Sequence, residues 1–296
     1  MRILISGSSG LIGQSVSAYL EERGHEVVPL RRGEANSGVT WQPSIGHYES
    51  GDFEGFDVMI HLAGKSIASG RWTESLKREI FESRCRDTWL LSQIINRLKN
   101  PPHTLITASG VGYYGSRGDE VLTERALPGE GFLADVCKQW EGATSSINTD
   151  KIRVIHTRFG VVLSEKGGAL ARLLKQFRMG SGAVVGKGDQ YLSWIALDDL
   201  SRSMEFILKT PQLSGAINVV SPQPETNKVF SQKLARALGR LCWLRVPAWV
   251  LQLLMGKEMA NEMILSSARV IPEKLSVEGF EFQYEKVEDY FSTLSK

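Results

Sequence analysis

Three glycines near the start of the chain have the spacing of a phosphate-binding turn. Gly7, Gly10 and Gly13 follow a short apolar run and precede a helical pattern. Gly7 lets the chain turn sharply, Gly10 lets the backbone approach a pyrophosphate, and Gly13 lets the helix pack closely on the sheet. The free N–H groups of the first helical turn, which includes Leu11 and Ile12, then face the anion. The pattern predicts half of a dinucleotide site.

Two arginines end the next apolar run and indicate which dinucleotide binds. Arg31 and Arg32 follow Val27–Leu30 directly. An acidic residue at this point hydrogen-bonds a ribose 2′-OH, whereas arginine suits a 2′-phosphate through charge-assisted contacts. The sequence therefore favours NADP(H) over NAD(H) as the cofactor. The alternative is that both arginines are solvated surface charge.

Hydroxyl-bearing residues cluster after a later apolar run. Ser109, Tyr113 and Tyr114 follow residues 104–108. Because ligands of an open α/β sheet bind at the carboxyl ends of its strands, these side chains are candidates for catalysis. Lys138 lies on the next predicted helix and joins them as a candidate.

The elements that must position these residues alternate between strand and helix. This alternation predicts an α/β fold with a doubly wound parallel Rossmann sheet and right-handed crossovers. We predict a dinucleotide-binding domain over 1–165 and a smaller C-terminal substrate lobe over 166–296, interwoven with the sheet. The predicted strands of the first part cover residues 1–6, 27–30, 57–64, 104–108 and 152–158.

Two predicted helices bear on the later argument. Residues 73–99 have a helical pattern, and composition alone places Glu79 and Arg84 on its solvated face. A second, strongly apolar helix begins at Pro247. We expect the Leu, Met and Trp residues at 249–265 to lie in the core.

Composition narrows the class of protein. The chain has 296 residues, with 35 basic and 33 acidic side chains and a net charge of +2, which disfavours nucleic acid as a partner. Cys85, Cys137 and Cys242 lack metal-binding or paired spacing, so we expect reduced thiols, no metal site and a cytoplasmic location. The absence of a leader and of any apolar run of about eighteen residues predicts a protein that is neither secreted nor membrane-spanning. The oligomeric state is not predicted.

Taken together, these motifs resemble the extended short-chain dehydrogenase/reductase superfamily, and within it the epimerase-type family 39. That resemblance implies an NADP-dependent oxidoreductase or a protein similar to nucleoside-diphosphate-sugar epimerases. The motifs that carry it are Gly7-Ser-Ser-Gly10-Leu-Ile-Gly13, His61-Leu-Ala-Gly64, Arg71-Trp72 with Ser83-Arg84, Ser109-Gly-Val-Gly-Tyr-Tyr114, Arg158-Phe-Gly-Val-Val-Leu163, Gly167-Gly-Ala-Leu170, and 190–195 with Asp199-Leu200.

The resemblance also implies roles for individual residues around a cofactor groove. By this resemblance, Arg31 and Arg32 contact the adenosine 2′-phosphate, and Leu62, Ala63 and Gly64 form the strand exit beside the cofactor. Glu79 and Arg84 lie on the helix that flanks the groove, and Val162 supplies a backbone position near the nicotinamide.

One departure from the superfamily pattern affects catalysis. Active relatives pair a tyrosine with a lysine four residues later, and here the residue four positions before Lys138 is Ala134. Loss of a placed acid–base group costs roughly 10²–10⁴ in rate. Three alternatives stay open: Tyr113 or Tyr114 supplies the proton; Asp199, a water or the substrate supplies it; or the protein performs little chemistry.

The serine position is also open. Aligning Tyr114-Gly115 with the superfamily's Tyr-Gly pair puts Gly110, rather than Ser109, at the catalytic serine position. The leading hypothesis is an NADP(H)-binding oxidoreductase or epimerase acting on a small polar substrate such as a nucleotide sugar. The alternative is a catalytically weak, cofactor-binding regulator linked to cell division.

Overall fold

Short β-strands alternate with helices along the computed structural model, which describes residues 1–33 and 39–294. The strands are β1 (Arg2–Ser6), β2 (Glu26–Arg32), β3 (Val39–Gln42), β4 (His47–Tyr48), β5 (Val58–His61), β6 (Thr104–Gly110), β7 (Val121–Leu122), β8 (Arg153–Phe159), β9 (Val161–Leu163), β10 (Ala183–Val185), β11 (Tyr191–Leu192), β12 (Trp194–Ala196), β13 (Gly215–Val219), β14 (Glu225–Thr226), β15 (Leu244–Val246) and β16 (Arg269–Val270). The α-helices are α1 (Leu11–Glu21), α2 (Glu74–Phe81), α3 (Asp87–Ile95), α4 (Phe132–Gly142), α5 (Gly168–Arg178), α6 (Leu197–Lys209), α7 (Asn227–Ala237), α8 (Ala248–Met255), α9 (Lys257–Met263), α10 (Glu273–Val277) and α11 (Val287–Phe291).

The central sheet has eight strands in the order β13-β8-β6-β5-β1-β2-β3-β4. All neighbours are parallel except β3 and β4, which are antiparallel. The strand order reverses between β1 and β5, where Ser6 pairs with His61. Such a reversal opens a crevice at the carboxyl ends of the strands. The predicted fold class is confirmed.

Side chains of β1 alternate between two cores, one on each face of the sheet. Ile3 and Ile5 are buried in the cluster that includes Val16 of α1 and Met204 of α6. Leu4 is buried on the opposite face, in the cluster that includes Trp41, Leu91 and Ile94. This alternation follows from the two-residue period of a strand. Helices on both faces therefore hold the strand ends in place.

The helix predicted over 73–99 forms with an irregularity that sequence reasoning did not anticipate. Thr73 caps α2 by accepting a hydrogen bond from the Leu76 amide at 3.2 Å. Between α2 and α3, residues Glu82–Arg86 form a π-helical turn. Turns of this type often occur at functional sites, because they redirect side chains within a continuous helix. Arg84 lies in this turn.

The C-terminal lobe shares the central sheet with the rest of the chain. Strand β13 comes from beyond residue 166 and pairs with β8, as an interwoven lobe requires. The lobe also has its own core of Leu170, Phe177, Trp194 and Phe230. The domain boundary at 165/166 stays a prediction.

Helix α8 contradicts the core position expected for the Leu, Met and Trp residues at 249–265, although Met259 in the following helix α9 is buried. Trp249, Leu253 and Leu254 are 64%, 68% and 66% exposed, and no residue of α8 is buried. An apolar composition predicts a surface that favours burial but does not specify what covers it. In the chain as described, no helix combines the length and apolarity needed to cross a bilayer. The cytoplasmic location stays a prediction.

Candidate cofactor and substrate site

The turn between β1 and α1 leaves no room for side chains at two of its glycines. Gly7 has φ of +73°, and a Cβ there would lie 2.8 Å from the Ala63 backbone nitrogen. A Cβ on Gly13 would lie 2.1 Å from the Gly7 carbonyl oxygen. Gly10 differs, since its nearest atom would be 3.4 Å from an added Cβ. The fold therefore requires Gly7 and Gly13, whereas packing within the chain does not require glycine at position 10.

We expect the variant Gly10→Ala to fold normally but to bind a dinucleotide about tenfold or more weakly, because its methyl group occupies the path of the pyrophosphate. The matched variant Gly13→Ala should instead lose about 1–3 kcal/mol or more of folding stability through overpacking. Thermal unfolding and NADPH titration of both proteins check this. Equal dinucleotide affinity of Gly10→Ala and wild type would contradict it.

The start of α1 has the features of an anion site. No side chain caps it at Gly10, and its first internal hydrogen bond runs from the Gln14 amide to the Gly10 carbonyl at 2.9 Å. The amides of Leu11, Ile12 and Gly13 thus precede the helical ladder and are free for an anion. Beside them is a cavity of about 700 Å³, here called the outer cavity, lined by residues Ser6–Gly10, Leu30–Arg32, Trp41 and Leu62–Gly64.

The two arginines at the end of β2 are in different situations. Arg32 donates through Nη2 to Asp87 Oδ2 at 2.6 Å. Burial raises the pKa of Asp87, and the Arg32 charge opposes that rise. Arg31 is exposed at the rim of the outer cavity, and within 1–33 and 39–294 its side chain forms no hydrogen bond or ion pair. Arg31 is therefore the guanidinium available to a 2′-phosphate.

A buried histidine holds the two strand ends of the crevice together. His61 Nδ1 lies 2.6 Å from Ser6 Oγ, which accepts the Ala63 amide at 3.3 Å. Burial lowers the pKa of His61 to about 3, so the imidazole is neutral at physiological pH. The sequence motif contained His61, but its contact with Ser6 depends on the pairing of β1 and β5. The contact fixes the backbone exit at Leu62 and Ala63.

Glu79 and Arg84 both lie beside this exit, as the resemblance implies. Lys65 Nζ and Glu79 Oε2 form an exposed ion pair at 2.7 Å. Arg84 donates through Nη1 to the carbonyls of Lys65 at 2.8 Å and Ile80 at 3.2 Å. A Cβ on Gly64 would lie 3.2 Å from Arg84 Cζ, so the guanidinium packs against the glycine backbone. Their contact with a cofactor stays a prediction.

A second cavity of about 430 Å³ lies beyond Leu62, which lines both cavities. We call it the inner cavity. It brings Ile12 of α1, Leu62 and Val162 of β9 together with Ser109, as a cofactor running from one cavity to the other would require. Its remaining walls include Ile67, Arg84, Ala108, Leu133, Val136, Cys137, Trp140, Phe159, Tyr191, Ser193, Glu262, Met263 and Ala268.

Ser109 is held by a buried ion pair at the floor of the inner cavity. Its Oγ donates to Glu141 Oε1 at 2.7 Å. Arg158 binds the same carboxylate through Nε at 2.8 Å and Nη2 at 2.7 Å. Burial disfavours the charged guanidinium, yet the hydrogen bonds that Arg158 donates to Glu141 and Tyr114 raise the pKa of Arg158 above its usual value. The Ser109 hydrogen is thus directed to Glu141, leaving the oxygen lone pairs for other partners.

The two tyrosines after β6 do not line the inner cavity. Tyr114 is fully buried, donates to Asn218 Oδ1 at 2.6 Å and accepts from Arg158 Nη1 at 2.9 Å. Burial raises its pKa to about 12. The Tyr113 ring stacks on the Arg158 guanidinium at 3.5 Å. Their role as proton donors stays a prediction, and these contacts favour a structural role.

Sequence reasoning missed a different tyrosine. Tyr191 of β11 lines the inner cavity, and over the described ranges its hydroxyl has no hydrogen-bond partner. Tyr191 belongs to the C-terminal lobe and has no lysine four residues later, so the tyrosine–lysine spacing of the superfamily does not identify it.

Asp199, another proton source proposed from the sequence, instead accepts hydrogen bonds from the backbone amides of Gln283 and Tyr284 at 2.9 and 2.8 Å.

The profile of the NAD dependent epimerase/dehydratase family matches residues 3–220. The chain belongs to this family. A second profile, a domain of unknown function (DUF1731), matches residues 246–294, which include α8 and α9. The predicted family is thereby confirmed.

Individual members of the family resemble the chain over nearly its full length. Epimerase family protein Mb2239 of Mycobacterium bovis is 38% identical over 287 residues, covering 96% of this chain and 94% of that protein. The crystal structure of human epimerase family protein SDR39U1 with NADPH has a TM-score of 0.92 at 29% identity, covering 99% of this chain and 98% of its own. A nucleoside-diphosphate sugar epimerase from Corynebacterium glutamicum has a TM-score of 0.79 at 34% identity, covering 97% of this chain and 56% of its own.

Helix α4 occupies the place where active superfamily members, by the resemblance, carry their tyrosine and lysine. Lys138 is exposed, whereas Leu133, Val136, Cys137 and Trp140 line the inner cavity. Two pairs spaced by four residues thus lie on the cavity face, Leu133 with Cys137 and Val136 with Trp140, and neither is the pair of positions 134 and 138 that the sequence suggested. Burial raises the pKa of Cys137 to about 11, so its thiol stays protonated at neutral pH. A catalytic role for Lys138 stays a prediction that its exposure does not support.

Proposed function

We propose that the chain is an NADP(H)-dependent oxidoreductase acting at a carbonyl or hydroxyl carbon of a small molecule in the inner cavity. The observation that carries this proposal is the position of Ser109 and Tyr191. Both line a cavity that meets the outer cavity at Leu62. A polar substrate atom placed there has a hydrogen-bond acceptor and a proton donor within one cavity.

Several features support NADP(H) as the cofactor. The uncapped start of α1 and the tight turn at Gly7 fit a pyrophosphate. Among the described residues, the Arg31 guanidinium has no hydrogen-bond or ion-pair partner, which suits a 2′-phosphate. The human relative was crystallised with NADPH. When bound, NADP(H) supplies or accepts a hydride.

The chain's own residues then bind the substrate oxygen and move its proton. Tyr191 donates its hydroxyl hydrogen to a carbonyl oxygen and transfers the proton as that oxygen gains negative charge. Ser109 accepts a hydrogen bond from the resulting alcohol, because Glu141 already receives the Ser109 hydrogen. Arg158 holds Glu141 in place through their buried ion pair. The apolar walls of α4 exclude water from the site.

We expect Arg31→Ala to lower NADPH affinity about 10- to 100-fold, because a hydrogen bond to a charged group contributes about 1.5–3 kcal/mol. NADH affinity should stay within about twofold, since NADH lacks the 2′-phosphate. Fluorescence titration with both dinucleotides measures the ratio. Arg125→Ala, at an exposed arginine outside both cavities, serves as the control. An unchanged NADPH/NADH ratio in Arg31→Ala would contradict the assignment.

The proposed function is tested by incubating NADPH-loaded protein with a panel of carbonyl compounds and sugar nucleotides. Loss of absorbance at the reduced nicotinamide band reports net redox turnover. Because an epimerase regenerates its cofactor, product stereochemistry must be measured in parallel. Silence in both assays, with NADPH bound stoichiometrically, would refute the enzymatic proposal.

A cofactor-binding regulator is the second candidate, favoured by the absence of tyrosine and lysine from the cavity-lining face of α4. The link to cell division is an expectation from the resemblance alone. Such a protein would bind a partner only when NADP(H) is present and would turn over slowly or not at all. Affinity capture with and without NADPH separates the candidates. Robust turnover with no cofactor-dependent partner would eliminate this one.

A further inference from the structure

We infer that the inner cavity binds a compact, largely apolar cyclic ketone or alcohol rather than a nucleotide sugar. This inference rests on the proposed function and specifies its substrate class. Its starting point is size. The cavity of about 430 Å³ must also hold the nicotinamide end of the cofactor, since Ile12, Leu62 and Val162 line it. Small-molecule sites span about 300–1,000 Å³, so the space left suits a small ring system and not a nucleoside diphosphate with its sugar.

The walls of the inner cavity are mainly hydrocarbon and aromatic. One face of α4 contributes Leu133, Val136 and Trp140, and the opposite walls include Ile67 and Met263. A sugar ring would leave several hydroxyl groups against these surfaces without partners, which is unfavourable. A flat apolar body instead gains free energy from burial there.

The charges around the inner cavity also disfavour a diphosphate. Arg84 is the one Lys or Arg among its lining residues in the described chain, and its Nη1 is already bound to two carbonyls. Glu262 accepts the Phe132 amide at 2.9 Å and the Leu133 amide at 2.8 Å. A helix N-terminus commonly binds phosphate, but that of α4 is occupied by this carboxylate. An entering diphosphate would therefore meet a negative charge.

Few polar groups are available to the ligand. Ser193 Oγ donates to the Ala268 carbonyl at 2.7 Å. Tyr191 and Ser266 are the other side-chain hydroxyls of the lining apart from Ser109, which can only accept a hydrogen bond because it donates to Glu141. These few hydroxyls suit one carbonyl or hydroxyl group on an apolar frame better than a ring with many hydroxyl groups.

The test measures binding rather than turnover. NADPH-saturated protein is examined by saturation-transfer NMR with 1-tetralone and, separately, with UDP-glucose, and NADPH affinity is titrated on the same sample. We expect a saturable signal for 1-tetralone and none for UDP-glucose. Leu133→Gln should weaken 1-tetralone binding about tenfold by placing an amide on the apolar wall. The matched control Leu127→Gln, at an exposed leucine outside the cavity, should not change it.

The outcomes separate the two proposals. Tighter binding of UDP-glucose than of 1-tetralone, or equal 1-tetralone binding by wild type and Leu133→Gln, would overturn the inference. Failure to bind NADPH would refute the proposed function. Comparing the binding of 1-tetralone and UDP-glucose to the cofactor-free protein would then show which of the two the inner cavity prefers. Binding of both NADPH and 1-tetralone without any turnover would support the inference and count against the oxidoreductase.

Discussion

The variant Tyr191→Phe should lower kcat for carbonyl reduction by about 10²–10⁴-fold, the usual contribution of a placed acid–base group. The substrate is the compound that responds in the carbonyl screen. Thermal stability should be preserved, because the Tyr191 hydroxyl has no hydrogen-bond partner in residues 1–33 and 39–294. Steady-state kinetics with NADPH and a melting curve on the same preparation measure both quantities.

Two controls make this prediction specific. Tyr113→Phe and Lys138→Met alter candidates suggested by sequence, and neither residue lines the inner cavity. We expect kcat within about twofold of wild type for both, since a group that cannot reach the substrate cannot transfer its proton. A large loss in Tyr113→Phe with normal activity in Tyr191→Phe would return the acid–base role to the sequence-based candidate.

Breaking the ion pair beneath Ser109 should have the largest effect on stability. Replacing Arg158 with Met leaves the Glu141 carboxylate buried without its cation, and such a change costs about 3–5 kcal/mol. The substitution also removes the hydrogen bond that Arg158 donates to the Tyr114 hydroxyl. Urea denaturation monitored by circular dichroism gives the free energy of unfolding.

The chain offers a matched exposed pair. Arg117 binds Glu120 through Nε and Nη2, each at 2.8 Å, with both side chains partly exposed. Arg117→Met should cost only about 0–1 kcal/mol. The double variant Arg158→Met with Glu141→Met should recover much of the single-variant loss, because no buried charge is left unpaired. If Arg158→Met lowered the free energy of unfolding by less than about 1 kcal/mol, the buried ion pair would contribute little to stability, against this prediction.

Local sequence patterns predicted the architecture well. The alternation of apolar runs and helical patterns led to the Rossmann sheet, and the glycine spacing led to the turn at Gly7 and Gly13. These features follow from backbone geometry and from the short-range periodicity of burial. Val162 and Leu62, named from the resemblance, do meet in the inner cavity.

The residues that line the inner cavity were harder to predict because a helix turns roughly 100° per residue. A shift of one position places Cys137 in the cavity and leaves Lys138 exposed. The π-helical turn that contains Arg84 also changes which side chains face the cavity. Its one extra residue per turn rotates every later side chain around the helix axis. Tyr191 lines the same cavity as residues of α4 and β6 only because the folded chain brings these distant segments together.

By itself, the sequence determined the strand–turn–helix unit with its glycines and the positive charge after β2, because each depends on residues close together in the chain. Only the tertiary structure decided that Arg32, and not Arg31, donates to Asp87, and that Ser109 donates to Glu141. It also decided that Glu262, 130 residues from Phe132, occupies the N-terminus of α4. Contacts between distant segments depend on how the sheet and the lobe pack together, and no local pattern of residues encodes that packing.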